Sequence, residues 1–192
     1  MNRIYNLLFI TFFLIIISYN CKKEKTEGDP EYQKKVEEAR NYLRAHIKDN
    51  YDISETSATR DDAVLNYLEA VNQGKTDKYI CTKQEYFDVF LPNTLEESTL
   101  TSNMPLEQAW EITELRRKVA LEQLQEVLKK EKNKPIKIEA LTWRDQIRQL
   151  NVLKGHRVGN LVIRVGNKSV TLEQVRLVIE HKGKFKLCVI GA

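Results

Sequence analysis

Hydrophobic and polar positions follow three different rhythms along the chain, and each rhythm marks a region. Leu7 to Ile17 is apolar except for Thr11, and the run gives way within a few residues to Cys21-Lys-Lys-Glu-Lys. At ~1.5 Å per residue this run spans roughly half of a ~30 Å hydrocarbon layer. That is short for a membrane-spanning helix and suits the apolar core of a signal peptide, with Arg3 and the terminal amine ahead of it. Residues 21–30 are charged, contain Gly28 and Pro30, and show no apolar period, so they read as a tether.

From residue 31 to about 132 the period is near 3.6. Val36, Ala39, Tyr42, Leu43 and Ile47 form a narrow stripe, which predicts a helix over 31–48. That helix either packs on the domain by its stripe or stands as a semi-detached stalk. Thr59-Arg-Asp-Asp62 predicts the capped start of a second helix, with Ala63, Val64, Tyr67, Leu68 and Val71 on one face and Gly74 as its stop. Thr82-Lys-Gln-Glu85 is a capping-box pattern opening a short helix that Pro92 ends. Its residues Tyr86, Phe87, Val89, Phe90 and Leu91 are apolar almost all round, which predicts deep burial. Residues 93–103 read as a polar loop. Pro105 then opens the longest helix, its face carried by Leu106, Ala109, Trp110, Thr113, Val119, Ala120, Leu124, Val127 and Leu128.

After Pro135 the period falls to 2. Ile136 to Trp143 predicts one strand, residues 157–165 a second, Ser169 to His181 a third and Phe185 to Ile190 a fourth. Gly166-Asn167 and Lys182-Gly183 supply the turns. Residues 144–154 are ambiguous between a turn with a short helix and a bent strand. Helices followed by strands on short connections predict an α+β fold with a four-stranded antiparallel meander. The expected organisation is residues 1–20 as signal peptide, 21–30 as tether and 31–192 as one α+β domain.

The stretch Ile10 to Cys21 resembles a bacterial lipoprotein signal peptide in its relaxed form, with Ser18 three residues before the cysteine and Asn20 just before it. The resemblance implies that Cys21 is lipidated and becomes the mature N-terminus. The membrane would then be a partner through that lipid, and the address a bacterial cell envelope. Lys22 after Cys21 points to the outer rather than the inner membrane under the sorting rule of some bacteria. Two alternatives stay open: an uncleaved anchor helix, and an ordinary signal peptide with an incidental cysteine. Several acyl chains hold durably, at about 0.8 kcal/mol per buried methylene, whereas one holds reversibly.

The helix Asp62-Ala-Val-Leu-Asn-Tyr-Leu-Glu-Ala-Val-Asn-Gln-Gly74 and the terminal His181-Lys-Gly-Lys-Phe-Lys-Leu187 resemble the NTF2-like (cystatin-like) superfamily. That resemblance implies a cone in which helices and a curved sheet enclose a pocket able to bind a small apolar ligand or to house catalysis. Trp110, Trp143 and Tyr86 are then the candidate lining residues.

Charge changes the picture little. There are 31 Lys and Arg against 27 Asp and Glu, and the signs are interspersed as on solvated helix faces. No basic stripe interleaved with aromatics appears, so nucleic acid is not an expected partner. Three cysteines occur. If Cys21 carries lipid, Cys81 and Cys188 are left, either as a disulfide that an exported chain can keep or as two buried thiols.

Motifs that carry chemistry are scarce in the chain. The histidines His46, His156 and His181 have no metal-ligand spacing, there is no CxxC, and no nucleophile elbow or phosphate loop occurs. No metal or cofactor is expected, and no catalytic residue is assigned. His156 and His181 read as solvated loop histidines, and Glu139 and Glu180 as outward positions of half-buried strands. The function expected from the sequence is a non-enzymatic, lipid-anchored envelope protein that binds an unknown protein or small molecule. The alternative is a small-molecule-binding or enzymatic NTF2-like pocket.

Overall fold

The computed structural model describes residues 28–97, 99–129, 132 and 134–191. The signal peptide, the lipidation of Cys21 and most of the tether lie outside the described residues. The chain divides into two compact units, residues 1–35 and residues 36–192. In the first, helix α1 (Pro30–Ala45) begins, and Lys35 Nζ pairs with Glu31 at 2.9 Å. Proline suits this first position because the amide it lacks would have no helical partner there.

In the second unit, Ala39 and Leu43 of α1 are buried, and Leu43 joins a core cluster. The helix stops at Ala45, short of the expected Lys48, because the Tyr51 hydroxyl donates to the His46 carbonyl and accepts the Lys48 amide. Helix α2 (Arg60–Asn72) starts on Thr59, whose hydroxyl accepts the Asp62 amide at 3.0 Å. It ends at Gly74, which takes a φ of 78° while the Lys75 amide reaches back to the Ala70 carbonyl. Helix α3 (Lys83–Glu85) carries the Thr82–Glu85 capping box and runs directly into a wider turn, Tyr86–Phe90.

Residues 93–103 depart from the expected polar loop. They wind into two 3-10 turns, Pro92–Glu97 and Leu100–Asn103, with Asn93, Thr94 and Ser102 buried. Short polar side chains make this burial possible by bonding nearby backbone: Asn93 Nδ2 donates to Val89 O at 2.7 Å and Thr94 Oγ1 to Leu91 O at 2.9 Å. Helix α4 (Leu106–Leu128) follows.

The α+β order holds, but the sheet has six antiparallel strands rather than four. They are β1 (Lys137–Trp143), β2 (Arg148–Leu150), β3 (Leu153–Val165), β4 (Lys168–Thr171), β5 (Val175–His181) and β6 (Lys184–Ile190). The order is β1-β3-β5-β6, with β2 and β4 also paired to β3. The ambiguous 144–154 region supplies β2, which turns through Asn151 at φ 50° into β3. The run expected as one strand from Ser169 to His181 is split, because the long β3 pairs with β4 over 162–165 and with β5 over 154–157.

Val178 packs with Val64, Tyr67 and Leu124 in one cluster. Its neighbours Leu177 and Ile179 pack with Tyr86, Phe90 and Ala109 in another. Adjacent strand residues point to opposite faces, so both faces of the β5 region are covered. That explains why β5 is buried at Leu177, Val178 and Ile179 in succession instead of at alternate positions.

Candidate functional site

The free edge of β6 is where the fold leaves chemistry within reach. An edge strand presents unpaired backbone groups that something must cover. Ser57 bonds Phe185 in both directions, at 2.8 and 3.0 Å, and the Cys81 amide donates to the Leu187 carbonyl at 2.8 Å. Cys81 and Cys188 form a disulfide across this edge, with Cα atoms 4.7 Å apart. Both residues are fully buried. The next orphan carbonyls, those of Cys81 and Cys188, accept Arg117 Nη1 at 2.7 Å and Nη2 at 2.9 Å. One guanidinium from α4 therefore pins the helix to the sheet edge.

Arg117 reaches that position because it lies on the buried stripe of α4. Ala109, Ala120, Leu124 and Leu128 are buried on this helix, and Thr113 and Arg117 occupy the same face at helical steps between them. Thr113 Oγ1 donates to Ala109 O at 2.8 Å and lies 3.1 Å from the Tyr86 hydroxyl. The Arg117 guanidinium sits 5.1 Å from the Trp110 ring centroid and 5.8 Å from that of Tyr86. Such stacking favours a cation that has left water. Burial pulls the pKa of Arg117 below its ordinary value, against the opposing influence of Tyr86, Tyr67, Glu85 and Glu114.

Beside this guanidinium a cleft of about 810 Å³ opens between α4 and the 76–83 segment. Tyr67, Ile80, Leu121 and Ile190 give it an apolar floor, and Trp110 and Leu115 stand along the α4 side. Exposed charges rim it: Asp77, Glu111 and Glu114 against Lys83 and Lys118. Lys83 is turned to Glu107 at 2.7 Å. Burial raises the Tyr67 phenol well above its ordinary value, so it is neutral. The volume falls within the ~300–1,000 Å³ of small-molecule sites.

Of the three aromatic residues proposed as pocket lining, Trp110 lines the cleft. Tyr86 lies buried behind it, with ring centroids 5.8 Å apart. Trp143 is elsewhere, on β1, where its Nε1 donates to Asp61 at 2.8 Å and Arg60 stacks over its ring.

His156 is 6 % exposed and His181 4 % exposed, so neither is a solvated loop residue. His156 lies inside β3 and donates through Nε2 to Glu180 Oε2 at 2.7 Å, between the rings of Trp143 and Phe185. Burial raises the pKa of Glu180, but bonds from His156 and Lys154 outweigh it and leave the carboxyl below its ordinary value. His181 Nε2 accepts the Tyr51 amide at 3.2 Å. Both are interior histidines held through Nε2, and Nδ1 of each is buried without a hydrogen-bond partner among the described residues.

Sequence reasoning passed over two further residues, Arg117 and Lys186. Lys186 is 1 % exposed and bonds both Glu85 oxygens, at 2.9 and 2.7 Å. The signal for Arg117 was present, a charge on the apolar stripe of the helix, whereas Lys186 alternates with Phe185 and Leu187 and nothing local marked it as buried.

Among the described residues no group of three or more His, Cys, Asp or Glu side chains is arranged to hold a metal ion. No helix among them is long and apolar enough to cross a membrane. Compared with protein-family models, curated proteins and solved structures, the chain gives no match.

Proposed function

We propose that this chain is a lipid-anchored bacterial envelope protein that acts by binding, without catalysis, and that its ligand site is the cleft beside Arg117. The observation that carries the binding part is the open cleft itself: about 810 Å³, floored by Tyr67, Ile80, Leu121 and Ile190, with a half-buried guanidinium at its side. An apolar site with one or two fixed polar groups is the usual form of a small-molecule site. A catalytic centre would also need a general base or a nucleophile set against one, and no such pair faces the cleft among the described residues.

The anchoring part rests on the apolar run ending at Cys21 and the charged tether behind it. In this reading the lipid on Cys21 places the domain at the membrane surface, with the outer membrane as the address. Helices that precede an antiparallel sheet fit an NTF2-like cone. The site proposed here differs from that of such a cone in lying at the sheet edge.

Metabolic labelling with a fatty acid in the wild type and in Cys21→Ala tests the anchor. Label in the first and none in the second is expected, and equal label in both refutes it. A thermal-shift panel of small molecules tests the binding. A saturable stabiliser that loses its effect in Leu115→Trp, which narrows the cleft, is expected. A panel that yields saturable ligands insensitive to that change, or none, refutes the site.

A further inference from the structure

Arg117 is half-buried where the cleft's lysines are exposed, and among the described residues it has no anionic partner in contact. Its polar contacts are two carbonyl oxygens, Cys81 O and Cys188 O. Guanidinium has five N–H donors. Two are used, and Nε, which is buried, finds no acceptor. A cation removed from water is stabilised by a contacting anion far more than by neutral carbonyls. The carboxylates acting on it, Glu85 and Glu114, do not offset its burial. Glu85 is committed to Lys186, and Glu114 is exposed.

The rim does not reverse this preference. Asp77, Glu111 and Glu114 outnumber Lys83 and Lys118, and Lys83 is paired with Glu107, but all of them are exposed, so their effects are screened. The charge in the low-dielectric part of the site decides the sign of the ligand. The rest of the lining decides its body. Tyr67, Ile80, Leu121 and Ile190 offer no charge, and Leu115 is 65 % exposed at the lip, an apolar surface left open to solvent.

We propose that the cleft binds an anionic amphiphile: one apolar chain laid along the Tyr67–Ile80–Leu121–Ile190 floor, with a carboxylate or phosphate head against Arg117. The proposal rests on the binding reading above and names its ligand class. Fatty acids and single-chain phospholipids share this chemistry, and either source is present at a membrane surface.

The test uses the full chain in phosphatidylcholine nanodiscs with a diazirine-bearing fatty acid as probe, and the labelled peptides are mapped by mass spectrometry. Labels are expected on residues 110–121 and 76–82. Palmitate should compete at least tenfold better than hexadecanol. Lysophosphatidic acid run beside palmitate tells whether carboxylate or phosphate is the preferred head, and either preference supports the proposal. Arg117→Met should cut labelling by the acid probe at least tenfold and leave a diazirine alcohol unaffected.

Arg117 also holds two backbone carbonyls, so Leu115→Glu supplies a second variant at an exposed position. It should reduce acid-probe labelling severalfold with an unchanged circular dichroism spectrum. Equal competition by hexadecanol overturns the anionic head while leaving a binding cleft in place. Labels spread over the protein, with no excess at the cleft and no loss in Leu115→Glu, overturn the site. A thermal-shift panel that still finds a saturable ligand would then show that the binding reading survives its proposed ligand class.

Discussion

Replacing Glu85 by glutamine should destabilise this protein more than replacing the lysine it faces. Lys186 is 1 % exposed on β6, and among the described residues its ammonium bonds Glu85 and, at 3.4 Å, Ser54 Oγ. In Glu85→Gln the amide oxygen can still accept the Thr82 amide and keep the cap of α3, but the buried ammonium loses its counter-charge. Breaking a buried pair from one side costs about 3–5 kcal/mol. Glu85 keeps 12 % of its side chain in contact with water, which places the expected loss near the lower end, about 3 kcal/mol. In Lys186→Met the remaining carboxylate keeps the Thr82 amide, the Ser54 amide and the Ser54 hydroxyl as donors. It is also at the water's edge, so the loss should be about 1 kcal/mol. The double variant should resemble Lys186→Met alone, a non-additivity of about 2–3 kcal/mol.

Urea unfolding of the four proteins measures this, and heat should show it as a fall of roughly 6–12 °C in Tm for Glu85→Gln. The pH dependence has a definite sign. Burial raises the pKa of Glu85, but bonds from Lys186, Thr82 and Ser54 outweigh it and hold it below the ordinary value. Its contribution is therefore complete above the unfolded value of about 4.3 and is lost as pH falls through the lower folded value. Glu85→Gln should flatten that part of the acid limb. A loss under 1 kcal/mol in Glu85→Gln, or strictly additive single changes, would refute the reasoning.

Three other outcomes follow from the geometry. The Cys81–Cys188 disulfide closes a separation of 107 residues, so its removal by Cys81→Ala with Cys188→Ala should cost about 4–5 kcal/mol on chain-entropy grounds. Alkylation and mass measurement of protein isolated without reductant should find neither of these thiols reactive; two free thiols would contradict the bond. Gly155→Ala should lower stability by about 1–3 kcal/mol in a denaturant titration, because the added carbon meets Leu150 Cδ1 at 3.1 Å with Arg148 Cβ and Leu177 Cδ1 at 3.3 Å. Arg117→Met should lose about 2–3 kcal/mol by leaving two edge carbonyls without donors, read in the same titration.

Much of the architecture was written in local rules that act over a few residues. The caps at Thr59 and Thr82, the stop at Gly74 and the burial around Tyr86 were all legible, because each depends on neighbours in sequence. The division of the third expected strand was legible too, in a feature that a simple period count overlooks. Val170 and Leu172 put apolar residues on even positions, whereas Val175, Leu177 and Ile179 put them on odd ones. A phase flip of this kind means that the chain changes face, and the structure breaks the strand between Thr171 and Val175. His156 and Glu180 were hidden for the opposite reason. They are 24 residues apart, and only the β3–β5 register, which pairs His156 with Val178 and Lys154 with Glu180, brings them onto one face.

The cleft and the anchoring of α4 follow from one substitution in a pattern. A helix that packed along its whole length would carry apolar residues at every step of its inner stripe. Here the stripe reads Ala109, Thr113, Arg117, Ala120, Leu124, Leu128. Its C-terminal part is held by Ala120, Leu124 and Leu128 in one core cluster and its start by Ala109 in the other. Between them the helix meets the β6 edge, where apolar side chains could not satisfy the carbonyls of Cys81 and Cys188. A guanidinium can, and its length carries the charge to the strand from a helix that need not close onto it. The space beside that long side chain is the cleft. The same residue thus caps the sheet edge, spaces the helix from it and leaves a cation facing an apolar floor, so structural and binding roles meet at Arg117 and have to be separated by variants such as Leu115→Glu that touch only the second.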